Sequence, residues 1–254
     1  MKILTVVGNR PQFIKAAAVS GPLRERHEEI LVHTGQHHDD SLSRVFFTEL
    51  GLARPDRELG IGGGTNGEQT AGMLAALGPA LAQERPHAVL VYGDTNSTLA
   101  GALAAAQAGV PVVHIEAGMR SFDHTMPEEL NRVLTDHIGD LLLCASETAE
   151  ANLRAESVRG RIELVGDVMV DLALRLQQSV RANLAMLATH DLAPGGYLLL
   201  TAHRAGNVAV GERVDLAHET RVVRPARDHA ENSGNRRREP LADCRLRVTI
   251  RGEA

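Results

Sequence analysis

An α/β fold, one parallel sheet with helices on both faces, is predicted by three observations. Short apolar runs alternate with helical stretches from residue 1 to about residue 165, the pattern of strand–helix units feeding a parallel sheet. The runs are near-continuous rather than alternating, as strands covered on both faces require. Polar and charged clusters sit just beyond the ends of the runs, where an open α/β sheet keeps its chemistry.

The elements follow in order. Ile3–Val7, within MKILTVVG, is the first strand, and Pro11 suits the start of a helix over Gln12–Arg26 because its missing N–H is not needed there. Ile30–Thr34 is the second strand. A helix over Gly67–Glu84 leads to strand Ala88–Tyr92, and a helix over Ser97–Ala108 to strand Val112–Ile115. Gly109 and Pro111 end that second helix, Gly by accepting a left-handed cap and Pro by blocking continuation. Pro127 opens a helix over Glu128–Ile138, followed by strand Leu141–Ala145, helix Ala149–Ala155 and strand Ile162–Val165. Residues 1–168 thus read as one Rossmann-like domain and residues 169–194 as a helical connector. GGYLLLTAHR repeats the strand-then-polar-tip pattern, so a second α/β domain begins near residue 195 and runs to about 220. From residue 221 to 254 the chain is Arg-rich, with little periodicity beyond LRVTI. That stretch reads either as a solvated, disordered tail or as out-of-frame sequence; the second is favoured because the break interrupts a domain that has just begun.

With 254 residues, 43% of them hydrophobic, the chain can bury one large core or two small ones. There is no Trp, so Ala, Val, Leu and Ile must fill that core. A formal charge of −5 argues against a general nucleic-acid surface, which needs a basic face. No apolar run approaches a membrane span, and the N-terminal run is short for a signal peptide. Cys144 and Cys244 have neither metal-type nor disulfide-framework spacing. A cytoplasmic protein without a metal centre is expected.

The polar tips carry the candidate chemistry. Gly8-Asn9-Arg10-Pro11 opens a helix whose N-terminus attracts anions, and Arg10 and Lys15 add fixed positive charge. The pattern is not GxGxxG, so dinucleotide binding has weak support; a surface Arg and Lys on an ordinary helix is the plain alternative. Gln36 and His37 end the second strand and offer hydrogen-bonding groups for a sugar or a base. Gly62-Gly63-Gly64 reads as a phosphate-hugging loop or a flexible turn, and Gln69 as a cap-region donor or a ligand contact. Asp94, in GDTNST, either caps the following helix or faces a ligand. Glu116 directly follows the buried run VVHI, where an ionised carboxylate needs a partner; Arg120 and Arg132 are the candidates. Glu128 and Arg132 stand four apart on one helix face and either pair with each other or serve the site. If the sheet gathers Asp94, Glu116 and Glu128, the crowded carboxylates shift one another and can act as acids and bases.

The segments GNRPQFIKAA, HTGQH, VYGDTNSTLAGALAA, HIEAGMR, MPEELNR and LLLTAHR, in this order and spacing, resemble the non-hydrolysing UDP-N-acetylglucosamine 2-epimerases from residue 1 to about residue 207. The resemblance implies the first half of a two-domain, GT-B-like nucleotide-sugar architecture in which two Rossmann-like domains face each other. It implies inversion at C2 of a UDP-sugar by elimination and re-addition of UDP, supplying precursors of cell-envelope polysaccharides. Under it, Asp94, Glu116 and Glu128 are the acid/base residues, and Arg10, Lys15, Arg132 and His203 hold the diphosphate or the sugar. Gln36, His37 and Gln69 become regulatory or sugar contacts. No cofactor or metal is needed. The implied partner is the UDP-sugar, not nucleic acid or membrane, and intact relatives are expected to be homodimers.

GNRPQFIK, VYGDTNSTLAG and MPEE also resemble the relatives that epimerise UDP-2,3-diacetamido-2,3-dideoxyglucuronate. Gly206 stands where family members usually have a Glu. The rest of the second domain, which in the family holds most contacts to uracil, ribose and diphosphate, is not recognisable after residue 207. The expectation is therefore impaired or absent epimerase activity for this chain alone. The readings from other classes are a glycosyltransferase of the same architecture and a non-catalytic fragment or partner subunit.

Overall fold

The computed structural model describes residues 1–36, 50–182, 185–189, 192–193, 197–201 and 220–223. The chain divides into two compact units, Met1–Gln177 and Gln178–Ala254.

The first unit runs β1 (Lys2–Val7), α1 (Arg10–Arg24), β2 (Glu28–His33), β3 (Arg57–Glu58), α2 (Asn66–Glu84), β4 (Ala88–Tyr92) and α3 (Asn96–Gln107). It continues through β5 (Val112–Ala117), α4 (Pro127–Ile138), β6 (Leu141–Cys144), α5 (Glu147–Ala155) and β7 (Arg161–Leu164) into α6 (Val168–Ala182), which crosses the boundary between the units at residue 177. The seven strands form one sheet in the order β3-β2-β1-β4-β5-β6-β7, and every neighbouring pair is parallel. The order reverses direction at β1, so the switch point of this Rossmann-like sheet lies between the C-terminal ends of β1 and β4.

Strand residues alternate between two cores, as a period of two requires. Leu4, Val6, Val89 and Val91 face Met73, Leu77 and Leu81 of α2 and the alanines of α3. Val7, Leu31, Leu90 and Tyr92 face Phe13, Ala16 and Ala17 of α1. The run AGALAA lets α3 lie close to the sheet: Ala100, Ala102, Ala104 and Ala105 are buried. Thr65 and Glu68 form a capping box at the start of α2, and Thr95 caps α3 with Thr98 as its partner. Gly109, at φ +69°, ends α3 as expected. Its N–H donates to the Ala106 carbonyl and that of Val110 to the Ala105 carbonyl, a Schellman pair.

The differences from the sequence reading have local causes. α1 begins at Arg10 rather than Gln12 because the Asn9 side chain accepts from the Gln12 N–H and caps it. β3 is too short to leave a periodic signal; it continues the sheet by register of Val32 with Arg57. The helical stretch after residue 168 consists of α6 and a short α7 (Ala185–Thr189). In the second unit β8 (Leu198–Thr201) and β9 (Thr220–Val223) pair antiparallel, Leu198 opposite Val223. The β-branched Thr220, Val222 and Val223 thus form a strand across the expected boundary at residue 221. Among the described residues no helix is long and apolar enough to cross a membrane.

Candidate active site

Gln12 ties the two sides of the switch point together. Its Oε1 accepts from the Gly8 N–H at 2.7 Å, and its Nε2 donates to the Tyr92 carbonyl and to Thr98 Oγ1, each at 2.9 Å. The loop after β1 and the loop after β4 are therefore held by one buried amide. That loop pair carries Arg10 on one side and Asp94 on the other.

Glu116 finds its partner in Lys15, not in Arg120 or Arg132. The Lys15 Nζ and the Glu116 carboxylate form an ion pair between α1 and the end of β5. Glu116 has φ +71°, and the register with β6 shifts between Ile115 and Ala117. A left-handed backbone at a residue other than Gly costs on the order of 1–3 kcal/mol and survives only where its surroundings impose it. Gly93, itself at φ +63°, makes the room: a Cβ there would stand 3.2 Å from both Glu116 Oε2 and Lys15 Nζ.

Asp94 does not cap α3; that role falls to Thr95. The Asp94 carboxylate instead accepts from Arg132 Nη2 at 2.5 Å, while Asn131 Nδ2 donates to its backbone carbonyl at 3.0 Å. Arg132 also donates to Glu129 at 2.9 Å, so the expected Glu128–Arg132 pair is replaced by a Glu129–Arg132 pair three residues apart. Glu128 is exposed at the first turn of α4, with no hydrogen bond or ion pair to the described residues. Arg10 is likewise exposed and unpaired among them. The basic and acidic residues named from the sequence are thus sorted into two ion pairs, Lys15–Glu116 and Arg132–Asp94, and two free groups, Arg10 and Glu128.

The sequence reading missed Glu129. Its side chain is 1% exposed and accepts from the Ser121 N–H, the Phe122 N–H and Ser121 Oγ, each at 2.9 Å, besides Arg132. Burial pushes this carboxyl up, but the two amides, Arg132 and the Ser121 hydroxyl outweigh it and hold it at about 2, against an ordinary 4.5. Because the folded value lies below the unfolded one, Glu129 stabilises the fold fully above about pH 4.5, and this contribution is lost as pH falls from there toward 2. Thermal melts across that window should show Tm falling with pH. Glu129→Gln should flatten that part of the slope, and an unchanged slope would contradict this role.

Beneath these pairs lies a second buried cluster that the sequence reading also missed. His114 sits between the Gly93 carbonyl, 2.7 Å from Nε2, and Asp136 Oδ1, 2.7 Å from Nδ1. Asp136 Oδ2 accepts from the Gly118 N–H at 3.0 Å and from Arg120 Nη1 at 2.7 Å. Burial alone would raise the Asp136 carboxyl, but His114 and Arg120 prevail and hold it below the usual carboxylate range. Arg120 completes the cluster by a two-point grip on Glu156 at 2.7 and 2.6 Å.

Gln36 and Gln69 border the switch point. Gln36 Oε1 accepts from Ser97 Oγ at 2.7 Å, and Gln69 Oε1 accepts from Asn96 Nδ2 at 3.0 Å. The Gly62-Gly63-Gly64 turn leads into the capped start of α2, where Gln69 Nε2 donates to the Gly64 carbonyl at 3.3 Å. His37 and His203 lie outside the described residues. Among the described residues no group of three or more His, Cys, Asp or Glu side chains is placed to hold a metal ion.

An open parallel sheet with acids and cations gathered at its switch point defines a Rossmann-like α/β protein, a fold whose ligand sites lie at such switch points. A protein-family model described as UDP-N-acetylglucosamine 2-epimerase matches residues 22–224. The chain belongs to that family. It is 50% identical over 212 residues to the UDP-2,3-diacetamido-2,3-dideoxy-D-glucuronate 2-epimerase of Pseudomonas aeruginosa, covering 82% of this chain and 58% of that one. It is 47% identical over 216 residues to a UDP-N-acetylglucosamine 2-epimerase homolog of Methanococcus maripaludis, covering 85% of this chain and 60% of the relative. The crystal structure of the Methanocaldococcus jannaschii UDP-GlcNAc 2-epimerase in complex with UDP-GlcNAc and UDP superposes with a TM-score of 0.76 at 41% identity, covering 82% of this chain and 58% of that one. The chain therefore spans about three-fifths of the length of these relatives.

Proposed function

We propose that residues 1–168 of this chain carry the acid/base residues of a UDP-N-acetylglucosamine 2-epimerase. The observation that carries the reading is the pairing of Lys15 with Glu116 and of Arg132 with Asp94 around one switch point, within a chain of this family.

The chemistry requires such a set. A hydrogen at C2 of an acetamido sugar is not acidic, so its removal is coupled to loss of the group at C1. A carboxylate takes the C2 proton, the C1–O bond breaks, and UDP leaves with the bonding electrons, giving a C1=C2 alkene. On return, a UDP oxygen re-forms the bond to C1 while a carboxylic acid delivers a proton to the opposite face of C2. The net change is inversion at C2, with UDP and proton both recovered. Asp94, Glu116 and Glu128 are the acid/base groups of this reading, and Arg10, Lys15 and Arg132 the cations that stabilise the departing diphosphate. By the family resemblance His203 is a further substrate-binding residue, and Gln36, His37 and Gln69 bind sugar or a regulatory nucleotide sugar. The reading places the protein in the cytoplasm, with no cofactor, and expects intact relatives to be homodimers.

The test is hydrogen exchange in D₂O, run on this chain and on a chimera in which residues 1–167 precede the remainder of the M. jannaschii relative. The chimera should convert UDP-N-acetylglucosamine to its C2 epimer with deuterium at C2. The chain alone should be much slower. Epimer formed with protium retained at C2 would rule out the elimination path, and an inactive, folded chimera would rule out the assignment. A second reading, UDP-2,3-diacetamido-2,3-dideoxyglucuronate as substrate, is favoured by the 50% identity to the P. aeruginosa enzyme. Competition between the two sugars in the same assay separates them by their kcat/KM.

A further inference from the structure

We propose that the buried His114–Asp136 pair is the positioning device for the Glu116 carboxylate, with His114 held as an imidazolium. The inference rests on Glu116 serving as an acid/base group in the epimerase reading, but its geometry stands apart from any sugar.

The hydrogen-bond chemistry fixes the charge of the ring. The Gly93 carbonyl can only accept, so His114 Nε2 must carry a hydrogen to make its 2.7 Å contact. Asp136 is ionised: it takes the Gly118 N–H and the Arg120 guanidinium on Oδ2, so its Oδ1 accepts from His114 Nδ1. Both ring nitrogens therefore donate. The ring is fully buried, and the groups that face it are the carboxylate of Asp136 from α4 and the carbonyl of Gly93 after β4, with Arg120 and Glu156 one step further out. A single carboxylate thus grips the chain on both sides of Glu116, through the side chain two residues before it and the peptide N–H two residues after it.

This grip accounts for the unusual backbone of Glu116. A residue at φ +71° in a strand with a register shift reverts to the β region unless it is held. His114 also anchors Gly93, whose open Cα gives the Lys15–Glu116 pair its space. Asp136 and His114 touch neither sugar nor proton in this account. They act through Gly93 and the Glu116 backbone and so determine where the carboxylate points.

Nuclear magnetic resonance on the 254-residue chain tests this without any sugar. In the wild type both His114 ring nitrogens should show one-bond coupling to hydrogen at neutral pH. The one-bond Cα–Hα coupling of Glu116, which reports the sign of φ, should be that of left-handed backbone. In folded His114→Gln, and independently in folded Asp136→Asn, that coupling should shift toward negative φ. A proton missing from either ring nitrogen in the wild type, or a positive φ retained in either folded variant, would overturn the proposal. If both variants unfold, the wild-type ring decides. In the chimera, His114→Gln should slow C2 exchange about 10²-fold with little change in KM, as expected of a misplaced rather than missing group; an unchanged rate would also overturn it. A wild-type chimera without C2 exchange sinks the epimerase reading alone, since the resonance result still judges the positioning.

Discussion

Replacing Glu116 by Gln in the chimera is expected to lower kcat for C2 exchange by about 10²–10⁴-fold, the range supplied by a positioned acid or base. The amide keeps the shape of the carboxylate and can still accept from Lys15, so the fold should hold and KM should move little. What is lost is the ability to exchange a proton and the charge that faces Lys15. Lys15→Met separates these two functions. It leaves the carboxylate in place but removes the cation, so its main effect should fall on binding of the diphosphate and on UDP departure. A Glu116→Gln variant that retains wild-type kcat would remove Glu116 from the acid/base set and leave Asp94 and Glu128 to carry the proton.

The sheet was legible because its signal is physical and repeated. A strand buried on both faces must be apolar throughout, and Ala88–Tyr92 is buried at every position. The candidate site was legible only where a charged residue follows such a run, as Asp94 and Glu116 do. α4 shows why the rest was not. Its sequence PEELNRVLTDHI places apolar residues at Leu130 and Leu134, which ordinarily mark the inward face. The structure turns the helix the other way: Leu130 is 58% and Leu134 40% exposed, while Glu129, Asn131, Thr135 and Asp136 are buried. Its buried face is polar because it reaches the ends of β4 and β5, where backbone groups and charges need partners rather than apolar cover. A periodicity argument therefore selects the exposed Glu128 for pairing with Arg132 and passes over Glu129 and Asp136. The only hint in the sequence is the spacing of Glu129, Arg132 and Asp136, three and then four apart, which sets three ionisable residues on a single helix face.

The same buried polar face makes the fold sensitive at Arg120. Its side chain is 1% exposed and bridges Asp136 and Glu156, at 2.7 Å to the first and 2.7 and 2.6 Å to the second. Burial disfavours its charge, yet Glu156 and Asp136 more than offset this and raise its pKa above the ordinary value. Arg120→Ala leaves the buried Asp136 carboxylate with only His114 and the Gly118 N–H as partners, and removing one partner of a buried pair costs about 3–5 kcal/mol. For a unit of this size that corresponds to a Tm lowered by roughly 6–20 °C. Arg120→Lys should recover only part of the loss, because an ammonium cannot reproduce the planar fork that grips Glu156 while reaching Asp136. Salt distinguishes this cluster from the surface pairs. The Arg154–Glu150 and Arg161–Glu163 pairs are solvated at their Arg ends, so their small contributions fade as ionic strength rises, whereas the Arg120 deficit should persist at high salt. Calorimetry of the Arg120→Ala chain at low and high salt reads the difference directly. A variant that melts within a degree or two of the wild type would mean that Asp136 finds another partner, and that the buried face of α4 does not depend on this guanidinium.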